Sequence, residues 1–274
     1  MSRRTEIIIA IFGVILTAIT LFFGDNIYMQ ITGHSIAQDL RSTSDSQTTP
    51  VSVETFAQTG NVSSSSGTLL LDDFDKSNYD RKYNIALWSC FGCDEFGVVT
   101  ATQGNGSIRL DATNKGNFEN HSGGLVSQSS WLPNKIGYLE AKMKLLSTNN
   151  GGVNILLRGP LGEKEWSTTC WIQRFSEAQA EYACDVFTYA NGQYVGEYKT
   201  ESFPVKYDEW HTAKIELMPD TFKLRFYLDG ELIGEHTPSD INVLKTKYLS
   251  ASFGVYTDTK ITAFIDDYVV TKAP

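Results

Sequence analysis

The sequence predicts an all-β fold, a two-sheet antiparallel jelly-roll sandwich, preceded by one transmembrane helix and a flexible linker. Three features predict it: an apolar run near the N-terminus, a Ser- and Thr-rich segment after that run, and hydrophobic alternation from Thr68 onward. Alternation with a period of two is the pattern of a β-strand that buries one face. The 274 residues therefore divide into a cytoplasmic tip (1–6), a transmembrane anchor (7–24), a linker (25–67) and a β-sandwich domain (68–274).

The anchor is predicted from the apolar run Ile7–Gly24, which follows Arg3 and Arg4 and ends before Asp25. A helix of about 18 residues is roughly 27 Å long, close to the ~30 Å hydrocarbon thickness of a bilayer. Because the positive residues precede the run, we expect the N-terminus in the cytoplasm and the rest of the chain outside the cell membrane. The alternative is a cleaved signal peptide, but the nearest candidate cleavage site, Ser35–Ala37, lies about a dozen residues further on.

The segment from residue 25 to residue 67 is dominated by Ser, Thr, Gln and Gly. Such a composition cannot bury enough apolar surface to offset the entropy lost when the chain becomes ordered. We therefore expect a flexible tether that holds the following domain away from the membrane.

Short strands joined by tight turns follow the linker, and no stretch has a helical period. Asn191-Gly192 and Asp229-Gly230 lie between strand-forming runs and suit a type I′ turn, while Pro219-Asp220 marks a third turn. About a dozen strands without crossover helices predict an antiparallel sandwich rather than an α/β fold. The predicted strands are Leu69–Phe74, Ser107–Ala112, Gly137–Leu145, Val153–Arg158, Thr168–Phe175, Glu181–Tyr189, Gln193–Lys199, Trp210–Met218, Thr221–Leu228, Glu231–His236, Leu249–Tyr256 and Ile261–Thr271.

The charge of the chain excludes one class of partner. The formal net charge is −9, and no basic stripe interrupts the acidic and neutral sequence. A protein that binds nucleic acid needs clustered positive charge against the phosphates. We therefore expect no nucleic-acid partner.

Four stretches of the domain carry a family resemblance: Ile136–Leu145 (IGYLEAKMKL), Glu209–Leu217 (EWHTAKIEL), Phe226–Ile233 (FYLDGELI) and the closing Ile265–Val270 (IDDYVV). They resemble the concanavalin A-like lectin/glucanase superfamily, which includes laminin G domains and family 16 glycoside hydrolases. The resemblance covers nearly all of residues 68–274 and rests on structural rather than catalytic motifs. It implies a jelly roll of two curved sheets whose concave face often binds a saccharide.

The resemblance also raises the question of catalysis. Family 16 hydrolases carry Glu-x-Asp-x-x-Glu or Glu-x-Asp-x-Glu on one strand, and neither string occurs in this sequence. The nearest arrangement is Glu181 and Asp185, which share a strand face but lie ~13 Å apart at the backbone. A retaining pair of carboxyl groups is separated by ~5 Å and an inverting pair by ~6.5–9.5 Å. The prediction is therefore a membrane-anchored extracytoplasmic carbohydrate-binding, lectin-like module without catalysis. A glycoside hydrolase of the same fold and a protein-binding adhesion or sensor ectodomain remain alternatives.

The four cysteines provide a test of strand register. If the turn between the strands Thr168–Phe175 and Glu181–Tyr189 centres on Glu177, residues whose numbers sum to 354 face each other. Cys170 and Cys184 satisfy this condition, and opposed antiparallel residues are close enough for a disulfide. We therefore predict a Cys170–Cys184 bridge. The other two cysteines, 90 and 93, either close a small loop or stay unpaired.

The same register sorts the two strands into faces and predicts one specific site. One face carries Cys170, Ile172, Tyr182, Cys184 and Val186 and is assigned to the core. The opposite face carries Trp171, Gln173, Glu181, Asp185 and Tyr189, together with Thr169. An aromatic ring beside amide and carboxyl groups is suited to a sugar, which offers C–H faces for stacking and hydroxyls for hydrogen bonds. The hypothesis is a glycan-binding groove. The alternative is a solvated face with one exposed tryptophan.

Two acidic pairs suggest one candidate ion site. Asp72 and Asp73 lie at the start of the domain, and Asp266 and Asp267 lie near its end. The first and last strands are often neighbours in the resembled superfamily, so these carboxylates are expected to approach each other. A structural Ca²⁺, which requires several oxygen ligands, is one reading, and ordinary strand-end aspartates are the other. No other cofactor is indicated.

Overall fold

A computed structural model describes residues 67–76, 79, 82–93, 99–113, 121–148, 150–161, 164–174, 179–190 and 193–274. The predicted anchor and nearly all of the predicted linker lie outside the described residues, so both stay predictions. Within the described residues, no helix has the length and apolar character needed to cross a membrane.

The described chain contains sixteen strands and two short helical turns. The strands are β1 (Thr68–Asp72), β2 (Trp88–Phe91), β3 (Val99–Gly104), β4 (Ser107–Thr113), β5 (His121–Trp131), β6 (Ile136–Thr148), β7 (Gly151–Leu161), β8 (Lys164–Arg174), β9 (Ala180–Ala190), β10 (Gln193–Lys199), β11 (Phe203–Val205), β12 (His211–Leu217), β13 (Leu224–Leu228), β14 (Glu231–His236), β15 (Leu249–Thr257) and β16 (Lys260–Lys272). A 3₁₀ turn covers Pro133–Lys135, and the helix α1 covers Ile241–Leu244.

The strands form two antiparallel sheets of eight. In the first sheet the order is β14-β13-β12-β6-β16-β4-β3, and β1 also pairs with β16. In the second sheet the order is β10-β9-β8-β7-β15-β5-β2, and β11 also pairs with β9. The predicted all-β, two-sheet antiparallel sandwich is therefore confirmed for the described residues.

The core lies between the sheets because each strand turns alternate apolar residues inward. On β6 the residues Leu139, Ala141, Met143 and Leu145 are all buried, and the residues between them are at least partly exposed. The second sheet contributes its own inward rows, for example Val153, Ile155 and Leu157 on β7. Each large apolar side chain buried in this way stabilises the fold by roughly 1.5–3 kcal/mol.

An aromatic cluster joins the two sheets. Trp88 of β2 contacts Phe253 of β15 and Tyr268 of β16, with ring centroids 4.9 Å and 5.1 Å apart in edge-on geometry. The indole nitrogen of Trp88 donates a 2.7 Å hydrogen bond to Asp72. Because its ring packs against other rings and its indole nitrogen has a hydrogen-bond acceptor, a tryptophan fits at the centre of the sandwich.

The strand predictions missed β2, β3, β5 and β11. Strand β5 (HSGGLVSQSSW) is rich in Gly and Ser, which are typical of loops, so local pattern gave no signal for a central partner of β15. The turn Asp229-Gly230 is confirmed, since both residues have positive φ, 50° and 87°, as a type I′ turn requires. Asn191-Gly192 lies outside the described residues, but Ala190 and Gln193 on either side of it are paired.

Candidate functional site

The register of β8 and β9 is the one predicted from the cysteines. Cys170 pairs with Cys184, and a disulfide joins them. A second disulfide joins Cys90 to Cys93, which settles a pairing that the sequence left open. All four cysteines of the chain are therefore bonded.

The predicted division of faces is also observed. Ile172, Tyr182 and Val186 are buried in the core cluster with both cysteines of this bridge. The opposite face of the second sheet forms the floor of the groove. Residues that pair between neighbouring strands form rows across this floor. One row crosses six strands, through Phe91, Gly124, Gly254, Asn154, Trp171 and Ala183.

A cavity of about 370 Å³ lies on this floor. Four of the five predicted ligand-binding residues line it: Trp171, Gln173, Asp185 and Tyr189. The fifth, Glu181, is one contact away, because the Gln173 amide donates a 2.5 Å hydrogen bond to it. A volume of this size is in the range of small-molecule sites. The structure thus brings the five residues together, and their role in binding stays a prediction.

Asp185 is one of the two acidic residues that line the cavity, with Glu165. Its Oδ2 accepts a 3.3 Å hydrogen bond from the indole nitrogen of Trp171, and its Oδ1 is buried without a hydrogen-bond partner among the described residues. Burial raises the pKa of Asp185 from 3.8 to about 6, against the opposing effects of the Trp171 bond and of the Lys199 charge. The ammonium of Lys199 lies 4.8 Å from the centre of the Trp171 ring. At mildly acidic pH this carboxyl group therefore holds a proton.

A chain of hydrogen bonds fixes the neighbouring polar groups. The hydroxyl of Tyr256 donates a 2.6 Å hydrogen bond to Oε1 of Gln173, whose amide nitrogen donates to Glu181. Burial raises the pKa of Tyr256, and the charges of Asp185 and Glu181 raise it further. Tyr256 therefore stays a neutral donor and holds Gln173 in one orientation.

Arg158 is a cavity residue that the sequence analysis did not select. Its side chain is only 8% exposed, and its guanidinium carbon lies 5.0 Å from the centre of the Phe91 ring. The nearest carboxylate is Glu165, with Nη1 and Oε1 4.0 Å apart. The alternation of β7 could have identified Arg158 as a groove residue. Arg158 is two positions from Leu156 and four from Asn154, so the three side chains share a face, and all three line the cavity.

Two glycines make room for the aromatic rings on the floor. A Cβ at Gly254 would lie 3.3 Å from the edge of the Phe91 ring and still closer to the backbone of Gly123. A Cβ at Gly152 would lie 2.8 Å from the hydroxyl of Tyr256. The rings of Phe91 and Tyr256 can cover the sheet because these positions have no side chain.

The structure does not gather the predicted calcium ligands into an ion site. Strands β1 and β16 are neighbours as expected, with Asp72 opposite Tyr268. However, the two oxygens of Asp72 accept hydrogen bonds from the Trp88 indole and the Phe74 amide. Within the described part of the chain, no group of three or more His, Cys, Asp or Glu side chains is placed to hold a metal.

The other three aspartates of that prediction have local partners. Asp73 accepts a hydrogen bond from the backbone of Asp75, and Asp266 accepts one from the backbone of Asp267. Asp267 also forms a 2.5 Å ion pair with Lys142. These contacts are those of strand-end and turn aspartates, which was the alternative interpretation of the sequence.

Comparison with known proteins supports the fold assignment. No protein-family model and no curated protein matches the chain. Among solved structures, it is similar to the laminarinase from Flavobacterium sp. UMI-01, with 12% identity over 75% of this chain and 100% of that chain, and a TM-score of 0.52. It is also similar to the Bacillus licheniformis β-glucanase, with 18% identity over 79% of this chain and 100% of that one, and a TM-score of 0.51.

A third similar structure contains bound sugars. It is LamA from Z. galactanivorans, a variant form in complex with laminaritriose and laminaritetraose, with 14% identity over 75% of this chain and 98% of that chain, and a TM-score of 0.51. At these identities the similarity shows the fold alone. The fold is therefore a two-sheet jelly roll like that of these structures, the fold that the sequence resemblance implied.

The comparisons correct the predicted function. We expected a lectin-like module without catalysis, and this prediction is contradicted because structures similar to the chain, with TM-scores of 0.51 to 0.52, are named as laminarinases and a glucanase. A glycoside hydrolase of the same fold was the alternative that the sequence left open. The absence of the Glu-x-Asp-x-x-Glu and Glu-x-Asp-x-Glu motifs was an insufficient reason to exclude catalysis. These motifs describe only one way of placing acidic side chains in the groove.

Proposed function

We propose that this chain is a glycoside hydrolase that cleaves a polysaccharide in the groove of the second sheet, with Asp185 as the general acid. The observation that carries the proposal is the state of Asp185, a carboxyl group that lines the cavity and whose pKa burial raises to about 6. A general acid must be protonated in the resting enzyme and must be able to release its proton near the working pH. A raised carboxyl pKa meets both conditions.

The hydrogen bonds of Asp185 also place its proton. Trp171 donates to Oδ2, so this oxygen acts as the acceptor, and the proton belongs on Oδ1. Oδ1 has no partner among the described residues, so its proton is not held by a neighbouring side chain. Because Oδ1 is buried, donation to a glycosidic oxygen requires the carboxyl group to turn toward the groove. Donation to the leaving oxygen is the step in which a glycosidase uses its acid.

The second carboxylate of the proposal is Glu181. It lies four residues from Asp185 on β9, ~13 Å away at the backbone. Both share a face of β9, and the charges of both raise the pKa of the same phenol, that of Tyr256. Because their backbone spacing is wide, the pair is proposed to be inverting, which needs ~6.5–9.5 Å for a water between the carboxyl groups, rather than retaining. Glu181 would then be the base that activates this water.

Aromatic side chains that line the cavity supply the sugar contacts. Trp171 and Phe91 line the cavity, as does Tyr194, whose ring lies 4.8 Å from that of Phe187. Rings of this kind stack on the C–H faces of sugars. The similar LamA structure in complex with laminaritriose and laminaritetraose supports a glycan as substrate.

The test uses the full chain in detergent with a panel of polysaccharides, and it measures the release of reducing ends. We expect release from at least one polysaccharide, and a loss of about 100-fold or more with Asp185→Asn or Glu181→Gln. Asp220→Asn, in the exposed turn between β12 and β13, is the matched control and is expected to retain full activity. NMR of the first product is expected to show inverted anomeric configuration. Release of reducing ends by the Asp185→Asn variant at the wild-type rate would disprove the role of Asp185.

We further propose that residues 7–24 hold this domain on the outer side of a membrane. The two disulfides of the described residues support an oxidising compartment, since structural disulfides rarely persist in the cytosol. Replacement of Ile15 by Lys in the middle of the apolar run tests the anchor, because a central lysine opposes insertion by about 2.5–3.5 kcal/mol. The variant is expected to leave the membrane fraction after carbonate extraction. A wild-type chain that is already extracted by carbonate would contradict the proposal.

A further inference from the structure

We propose that the substrate in this groove is an anionic glycan, and that Arg158 binds its acidic group. This inference rests on the proposed function for the identity of the site, and it adds the chemical class of the substrate. The acidic group is a carboxylate or a sulfate ester, both of which present two oxygens to a guanidinium.

The first observation is the state of the Arg158 guanidinium. Its residue is 7% exposed, and its Nη2 is buried without a hydrogen-bond partner among the described residues. The contact with Glu165, at 4.0 Å, is too long for a direct hydrogen bond. Burial lowers the pKa of Arg158, which is the signature of a cation removed from water without full compensation.

A buried cation in this state destabilises the free protein. Proteins pair or hydrogen-bond buried charges, because an unpaired buried charge costs several kcal/mol. The π face of the Phe91 ring and the Glu165 carboxylate, 4.0 Å away, offer only partial compensation. A guanidinium whose buried Nη2 has no partner among the described residues is therefore prepared for an acceptor that arrives with a ligand.

The second observation is the charge of the cavity as a whole. Four ionisable side chains other than tyrosine line it: Arg158, Lys199, Glu165 and Asp185. When Asp185 is protonated, as its proposed role requires, two cations and the Glu165 carboxylate line the cavity, and the Glu181 carboxylate lies beside it on Gln173. The groove is therefore close to neutral, on a chain whose net charge is −9.

The third observation is the position of Arg158 relative to Asp185. Arg158 pairs with Ser167 on β8, and Asp185 pairs with Thr169, two residues further along the same strand. Two strand spacings and two residues separate Arg158 from Asp185, which is ~12 Å at the backbone. Both side chains line one cavity, so a single oligosaccharide can contact both. The acidic group would then lie on a sugar at, or next to, the bond that is cut.

The experiment measures oligosaccharide binding by calorimetry to the full chain carrying Asp185→Asn, which prevents turnover. Three series of matched length are compared: neutral β-glucan oligosaccharides, uronic acid oligosaccharides and sulfated galactan oligosaccharides. We expect one anionic series to bind at least about tenfold more tightly than the neutral one, as a charge-assisted bidentate contact predicts. The series that binds distinguishes a carboxylate from a sulfate ester.

Arg158→Met and Arg158→Lys then test the residue. Methionine is expected to abolish the preference for the anionic series, and lysine to restore only part of it, because lysine lacks the planar fork. Lys199→Met is the matched control for charge alone: Lys199 is exposed, so its effect is expected to be smaller and to disappear at high salt. The melting temperature of Arg158→Met is expected to equal or exceed that of the parent.

Three results would overturn the inference: neutral oligosaccharides bound as tightly as anionic ones, no binding by any series, or an unchanged preference in Arg158→Met. A fall in melting temperature with unchanged binding would assign Arg158 a structural role instead. The proposed hydrolysis fails separately. If the wild-type chain binds an anionic glycan and never cuts it, the proposed hydrolysis is contradicted and this inference stands. If the wild-type chain cuts neutral glycans alone, the proposed hydrolysis stands and this inference is contradicted.

Discussion

The indole nitrogen of Trp171 on β8 donates a hydrogen bond to Oδ2 of Asp185 on β9 along a diagonal of the strand pair, since Trp171 is opposite Ala183 in the register. The small side chain of Ala183 leaves the indole room to reach the carboxyl group two residues further on. One oxygen of Asp185 is therefore fixed and the other stays without a described partner. This asymmetry determines how Asp185 responds to pH and to mutation.

Asp185→Asn is expected to stabilise the protein at neutral pH. Because the folded state raises the pKa of Asp185 to about 6, its stabilising contribution is complete below 3.8 and is lost as the pH rises through about 6. Asparagine keeps an acceptor for Trp171 and carries no charge. Urea unfolding should therefore show the variant more stable than wild type at pH 7.5, by up to about 3 kcal/mol, and equal to it near pH 4.

A wild-type protein that is more stable than the variant at pH 7.5 would contradict this prediction. It would mean that the Asp185 carboxylate is well solvated or better paired than its burial indicates. The matched control is Asp220→Asn, which lies in an exposed turn and is expected to shift stability equally at both pH values.

The Cys170–Cys184 disulfide is expected to stabilise the sandwich more than the Cys90–Cys93 disulfide. It closes a loop with a sequence separation of 14 rather than 3, so it restricts the unfolded chain more strongly. Loop entropy gives about 3 kcal/mol for the first bridge and about 2 kcal/mol for the second. Urea unfolding of the two double Cys→Ala variants should show this order. An equal loss in both variants would contradict the loop argument.

The fold and half of the candidate site could be predicted because they follow from short-range pattern. Alternation identifies strands, and the pair Cys170 and Cys184 fixes the register of β8 against β9 without any distant information. The register then showed which residues of the two strands share a face, and it placed Trp171 and Asp185 on the face that lines the groove.

The other half of the site depends on long-range pairing that no local pattern shows. Phe91 and Gly254 enter the groove because β2 pairs with β5 and β5 with β15, and the sequence of β5 has the composition of a loop. Arg158 was visible as an alternating residue of β7, but its importance follows from the ring of Phe91, which comes from the far edge of the sheet. The buried tryptophans 88 and 166 lie on β2 and β8, at positions where the sequence analysis predicted no strand.

Trp88→Phe is expected to destabilise the protein more than Trp166→Phe. Both indoles are fully buried, but Trp88 donates to Asp72, whereas Trp166 has no hydrogen-bond partner among the described residues. Loss of the Trp88 donor leaves a buried carboxylate oxygen unpaired, so the difference between the two variants should be about 1–3 kcal/mol at pH 7. Urea unfolding of both variants measures it.

The pH dependence of that difference provides its control. Burial raises the pKa of Asp72, and the Trp88 hydrogen bond opposes this rise, so Trp88→Phe raises the pKa of Asp72 further. A raised pKa in the folded state means that stability is lost as the pH rises through it and regained in acid. The excess cost of Trp88→Phe should therefore shrink as the pH is lowered, and a cost that is the same in acid would point to packing alone.

Trp171→Phe is expected to move the pH profile of hydrolysis to higher pH. The Trp171 hydrogen bond lowers the pKa of Asp185, so its removal raises that pKa above about 6 and keeps the proposed acid protonated at higher pH. Lys199→Met should move the profile in the same direction, because the Lys199 charge also lowers the pKa, but its effect should fade at high salt. The rate against pH, at low and high salt, measures both shifts. A descending limb that stays in place in both variants would show that another group is the acid, since Asp185 cannot lose these two neighbours without a change in its pKa.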